Sequence, residues 1–160
     1  MKLELGTTQE RNGWITVDGQ GGTYQKHIPP LPEEIFDYTF ERVECYHFWE
    51  HLYLWEAEQL AREVYSVLEP GGRFILELPN LRMCCQNMID EHPDIRMNLW
   101  GLYGAQSDPQ HYGNPFQAHK WGYTPESLMK QLLDAGFKKA ELKEITRGQK
   151  ERDMRIEAVK

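Results

Sequence analysis

The sequence predicts an α/β domain whose sheet is mostly parallel and ends in an antiparallel pair of strands. Three observations predict it. The run Leu68-Glu-Pro-Gly-Gly-Arg-Phe-Ile-Leu-Glu-Leu-Pro-Asn80 reads as a helix end, a Pro-Gly-Gly turn, a short apolar strand and a proline stop, which is half of a βαβ crossover. The best helical stripe of the chain, Leu54 to Leu68, lies between two strand-like runs. Near the C-terminus, two runs alternate apolar and charged residues on either side of a break at Gly148. Open parallel sheets bind ligands at the carboxyl ends of their strands. The residues just after each strand are therefore the candidates for function.

The elements follow in order. Leu3, Glu4 and Leu5 alternate and stop at Gly6, a first strand; Trp14-Ile-Thr-Val17 is β-rich and stops at Asp18, a second. Only Thr7 to Gly13 join them. Such a link spans roughly 23 Å when extended, enough to return for a parallel pairing, but it has no room for the usual crossover helix. Gly19 to Pro32 is a Gly- and Pro-rich loop with a short strand at Tyr24 to Ile28. Phe40 to Tyr46 is a further strand ending near His47. In the helix, Leu54, Ala57, Leu60, Ala61, Val64, Val67 and Leu68 share one face, and Glu58 precedes Arg62 in the favourable orientation. Arg73 to Leu78 is apolar enough to be buried on both faces.

Residues 81 to 92 have helical character, and Leu99 to Tyr123 has no period but many Gly, Gln, His and aromatic residues, which favours an ordered functional loop. Thr124-Pro-Glu opens a helix with an N-cap, a proline in the first turn and an acid beside it. Gly136 and Phe137 close that helix. Ala140 and Leu142, then Met154, Ile156 and Ala158, mark the final antiparallel pair.

Composition narrows the function classes. The chain has 160 residues, enough for one core and one domain over 1–160. It is 40% hydrophobic with a net charge of -7. That charge argues against nucleic acid as partner. No apolar run reaches a membrane span, and the N-terminal residues do not read as a signal peptide. Three cysteines, two of them adjacent, suit free packed thiols and a reducing cytoplasm rather than a disulfide framework.

The order strand, strand, loop, strand, helix, strand, irregular loop, helix, strand, strand resembles the class I S-adenosylmethionine-dependent methyltransferases. The residues that carry the resemblance are Leu3-Glu-Leu-Gly6, Gly13-Trp-Ile-Thr-Val-Asp18, Leu31-Pro32, Phe48-Trp-Glu-His-Leu52, Val67-Leu-Glu-Pro-Gly-Gly72, Leu78-Pro79, His119-Lys-Trp-Gly-Tyr-Thr124 and Ala135-Gly-Phe137. The resemblance implies a Rossmann-like, three-layer domain and S-adenosylmethionine as cofactor. It implies cofactor contacts from Leu5, Gly6 and Thr7 after strand one, from Asp18 and Gly19 after strand two, and from His47 and Phe48. It further implies methyl transfer to an oxygen or nitrogen of a small molecule or carbohydrate, with no metal, and with His47, His111 or His119 as the group that takes a proton. The chain departs from the family at Thr8, where a second glycine is usual, and at His27, where an aspartate is usual.

Rival readings stay open at this stage. A non-catalytic binding or assembly module of the same fold suits Thr8 and His27. His47-Phe-Trp-Glu-His51 matches the H-x-x-E-H signature of a zinc hydrolase. Asp18 could cap its own turn instead of holding a ligand. Tyr103, His111, Tyr112, His119 and Trp121 are acceptor-binding groups, or else Trp121 and Tyr123 are packing anchors of the loop and His119 a hydrogen-bonding strut; for Trp121 the anchor is the reading taken. A homo-oligomer is compatible with so compact a chain.

Overall fold

The computed structural model describes residues 1–106 and 117–160. Seven strands form one sheet: β1 (Lys2–Leu5), β2 (Trp14–Asp18), β3 (Tyr24–Gln25), β4 (Phe40–Tyr46), β5 (Leu68–Pro79), β6 (Lys139–Lys143) and β7 (Asp153–Val159), in the order β3-β2-β1-β4-β5-β7-β6. The first five are parallel, and β7 runs antiparallel to both β5 and β6. The short link between β1 and β2 returns without a helix, as its length requires. This is the α/β, mostly parallel sheet with an antiparallel C-terminal hairpin that the sequence predicts.

Helix α1 (Leu54–Val67) buries Ala57, Leu60, Ala61, Val64 and Val67. Helices α2 (Leu81–Ile89) and α3 (Leu99–Tyr103) follow β5. Helix α4 (Pro125–Asp134) starts at Thr124, whose side chain accepts from the Ser127 amide. Gly136 at φ +111° ends it, and Phe137 stacks near Phe74 and Tyr65.

Three local expectations are corrected. The Pro-Gly-Gly segment is not a turn before the strand but a bulge within it, because Leu68 already pairs with Phe40 and the register shifts before Arg42 meets Arg73. Gly71, at φ +81°, provides the backbone that allows the shift. Strand β3 is shorter than Tyr24–Ile28, since Ile28 turns into the core and prolines follow it. Leu99 to Tyr103 is a short helix inside the stretch expected to be irregular.

The two faces of the sheet differ. Right-handed crossovers put α1 and the loop residues Ile28, Leu31 and Ile35 on one face, over Leu3, Leu5, Val17, Val43, Cys45, Phe74, Leu76 and Ile156. The β1–β2 link crosses the other face, where a three-layer domain would seat a helix, and it is too short to form one. That face carries Glu4, Glu44, Glu77 and Arg155 among the buried polar side chains, with Arg11 and Arg147 laid over them.

Candidate functional site

A cavity of about 630 Å³ opens at the carboxyl ends of β1, β2 and β4. It is lined by the loop Gly6 to Gln9, by Asp18 to Gln20, by His27 to Pro29, and by His47, Phe48, His51, Leu52, Glu56, Gln117 and Lys120. Its size falls within the range of about 300–1,000 Å³ usual for small-molecule sites.

The walls are built from close approaches. Gly6 has φ +76°, and a Cβ there would lie 2.3 Å from the Cβ of Phe48. Only glycine lets the tip of β1 touch the residue after β4. Gly19 packs likewise on the His27 ring, at 2.9 Å from an added Cβ. Thr8 does not plug the cavity. Its carbonyl accepts from the Gly22 amide at 3.1 Å, and its backbone and Cβ lie against Gly21. The absence of a side chain at Gly21 is what lets Thr8 pack there.

Asp18 ends β2, and its Oδ1 accepts from the Gln20 amide at 2.7 Å. The side chain borders the cavity. Leu5 is buried in the core beneath the cavity, with its neighbours Gly6 and Thr7 in the wall.

His47 has φ +49°, a backbone state uncommon outside glycine. Its amide donates to the Glu77 carbonyl at 2.9 Å. The turn sets the ring between two acids: Nδ1 lies 3.3 Å from Glu50 Oε1 and Nε2 3.4 Å from Asp153 Oδ2. Burial works to discharge the ring, but Asp153 and Glu50 outweigh it and raise its pKa to about 9. Burial alone would raise Asp153, yet His47 and Arg152 hold it down at about 2. At neutral pH His47 is therefore a paired cation with both nitrogens engaged, a poor proton acceptor.

His119 does not border the cavity. Its Nδ1 donates to the Gly101 carbonyl at 3.1 Å, and its Nε2 is 3.9 Å from Glu50 Oε1. Burial, above all, lowers its pKa, so the ring is neutral. His111 and Tyr112 lie outside the described residues. Tyr103 is exposed; of the two expected packing anchors Tyr123, at 1% exposure, is one, and Trp121, at 45%, is not. Cys84 is buried under Gly101, and burial pushes its thiol up to about 12, as a packed group requires.

The H-x-x-E-H spacing does not build a helical zinc-hydrolase site. Trp49–His51 is a single 3₁₀ turn, and His47 stands before it facing Asp153 rather than His51. The residues missed by the sequence reading are Asp153 and Arg152, which are distant in the chain, and the packing of His119 beside Glu50 and His51.

No protein-family model matches the sequence, and no curated protein does. Solved structures do match. A SAM-dependent methyltransferase from Archaeoglobus fulgidus superposes at TM-score 0.60 with 17% identity, over 99% of this chain and 85% of that one. A candidate O-methyltransferase from Nostoc punctiforme gives 0.59 and 16%, over 99% and 51%. Human N-acetylserotonin methyltransferase in complex with SAM gives 0.56 and 15%, over 99% and 47%. The chain thus spans about half the length of the last two. The chain has the fold of the class I S-adenosylmethionine-dependent methyltransferases.

Proposed function

We propose that the protein binds S-adenosylmethionine in the cavity at the strand tips and transfers its methyl group to an oxygen or nitrogen of a small molecule, carbohydrates included. The observation that carries this reading is the glycine-lined cavity bounded by Gly6, Asp18 and Phe48 on the fold of SAM-dependent methyltransferases. The residues present fit the cofactor. Gly6 and Gly19, closed against Phe48 and His27, add no side chain of their own to the cavity wall, and Asp18 offers a carboxylate oxygen to ribose hydroxyls. Leu5, Gly6 and Thr7 would back the methionine end, and His47 and Phe48 would stand near the reacting centre.

When bound, the cofactor supplies an electrophilic sulfonium methyl. The chain's own contribution is alignment: rigid strand tips fix donor and acceptor in one line. His47, held charged between Glu50 and Asp153, positions the β4 turn and orients an acceptor. The polar rim of Glu56, Gln117 and Lys120 suits a hydroxyl- or amine-bearing acceptor. His119 and His111, expected as proton acceptors, would have to reach that acceptor from the segment that follows α3.

Calorimetric titration with S-adenosylmethionine and its demethylated product tests the reading. Saturable binding of both is expected. No heat and no thermal shift at millimolar ligand would overturn it, and binding without transfer of a labelled methyl to any of a broad acceptor panel would favour the non-catalytic module. Asp18→Ala should weaken binding by about 1–3 kcal/mol if the carboxylate holds the ribose. Unchanged affinity in a folded variant would leave Asp18 as a turn cap.

A further inference from the structure

Beside the cavity, outside the role just described, lies a second cluster. One oxygen of Glu50 and one ring nitrogen each of His51 and His119 lie within 4.8 Å of one another. Glu50 is 2% exposed, and its Oε2 has no hydrogen-bond partner among the described residues. A buried carboxylate oxygen without a partner costs stability unless a cation reaches it.

The two histidines are arranged to help. Nδ1 of His51 donates to the Ala118 carbonyl at 3.1 Å, and Nδ1 of His119 to the Gly101 carbonyl at 3.1 Å. A carbonyl only accepts, so each Nδ1 carries a proton, and Nε2 is the nitrogen of each ring that can turn a lone pair toward a cation. This is how metal-binding histidines are held, with the far nitrogen donating to a backbone carbonyl. Two imidazole Nε2 atoms and a carboxylate thus converge on one point. The rings already meet edge to face with centroids 4.9 Å apart. The backbone is fixed as well, since the amides of Lys120 and Trp121 donate to the Glu50 carbonyl at 2.8 and 3.3 Å.

We propose that Glu50, His51 and His119 bind a zinc-like divalent cation, which staples the segment 117–121 to the turn after β4. Nitrogen and carboxylate donors suit zinc and its neighbours. Tetrahedral ligation at ordinary bond lengths places ligand atoms about 3.4 Å apart. The 3.9 Å between His119 Nε2 and Glu50 Oε1 needs only a small side-chain closure to reach that. Three protein ligands leave a fourth position for water. His51 also borders the large cavity, so the metal would brace one wall of it. His47, although part of the H-x-x-E-H spacing, is not a ligand, because Asp153 and Glu50 already hold it.

The test uses tag-free protein, stripped with chelator, desalted, and titrated with Zn²⁺ and with Co²⁺. One equivalent of zinc retained through desalting is expected. Also expected are cobalt d–d bands without a sulfur charge-transfer band, and a thermal midpoint that rises with metal and falls with chelator. Glu50→Gln and His119→Gln should each weaken binding at least about 10-fold. His92→Gln, outside the cluster, should change nothing. Absence of retained metal and of cobalt bands in the wild-type protein would overturn the site, as would a sulfur charge-transfer band. If the variants do not fold, the wild-type spectrum and stoichiometry still decide. Cofactor titration on metal-free protein is a separate measurement, so the two readings can fail independently.

Discussion

The two faces of this sheet solve the same burial problem with opposite chemistry. Under α1 and α4 the strands present Leu3, Leu5, Val43, Phe74, Leu76 and Ile156, and the helices cover them with Leu60, Val64, Leu128 and Leu132. On the other face alternate residues of the same strands are Glu4, Glu44, Glu77 and Arg155. The difference traces to the connections. The segment from β4 to β5 is long enough for a helix, which supplies an apolar cover. The segment from β1 to β2 is not, and arginines from the loops cover the face instead. Burial against a helix favours apolar strands; burial under loops requires every charge to be paired.

The largest effect that would break this comparison comes from Glu77. Its carboxylate accepts from the amides of Thr146, Arg147 and Gly148, from the Thr146 hydroxyl, and from Arg155 Nη1 at 2.9 Å. Burial alone would raise its pKa, but these donors lower it. Glu77→Ala leaves Arg155 with Glu157 as its remaining acid and unties the 146–148 loop, at a cost of about 3–5 kcal/mol. Leu76→Ala, one residue away on the apolar face, should cost about 2–5 kcal/mol. Urea denaturation of both variants measures this. Replacing Glu77 and Arg155 together by leucine should recover the share of the loss that belongs to their ion pair, while the 146–148 amides stay without their acceptor. A double variant as unstable as Glu77→Ala would show that the loop anchoring, not the ion pair, carries the face.

A smaller effect comes where the charged face reaches the cavity. Asp153 precedes Arg155 by two residues on β7 and so shares its face, and it meets His47 Nε2 at the cavity edge. His47 has its pKa raised from an ordinary value near 6.5 to about 9. The stability it adds is complete below pH 6.5 and is lost as pH rises through 9. Asp153 sits near 2 instead of 3.8, so its contribution is complete above pH 3.8 and is lost as pH falls through 2. The urea midpoint should therefore decline from pH 6.5 to 9, and His47→Gln should flatten that decline. An equal slope in both proteins would place the alkaline loss elsewhere.

The parts of this architecture that were legible in the sequence are those whose cause is local. The 3.6-residue stripe gave α1, the length of 7–13 set a helix-free parallel return, and Gly6 and Asp18 marked strand ends that border the cavity. The Pro70-Gly71-Gly72 bulge was not legible, because a glycine pair reads the same whether the chain turns or shifts register. Nor was the pairing of His47 with Asp153, which depends on the antiparallel register of β7 on β5. His119 reaches Glu50 only through the docking of a loop with no periodic signal. The charged face was half visible: Glu4, Glu44 and Glu77 alternate with apolar residues as solvent-facing positions do, and the arginines that bury them come from loops.

The smallest effect tests how that burial is shared. Glu4 and Glu44 are direct register partners on β1 and β4, and like charges so placed repel. Arg11 Nη1 bridges them, 2.9 Å from each, while stacking on Trp14 at 3.9 Å. Arg147 bridges the same two acids, at 3.0 Å to Glu4 and 3.3 Å to Glu44. Arg42 adds a further contact to Glu44. Arg11→Ala should then cost only about 1 kcal/mol, because Arg11 is well exposed and Arg147 still separates the acids. Removing both arginines should cost more than the two single losses added, since only then do the buried carboxylates face each other unbridged. A double-mutant cycle by urea denaturation measures the excess. Simple additivity would mean that water, rather than a second arginine, screens the pair, and that this face is held by its strands more than by its charges.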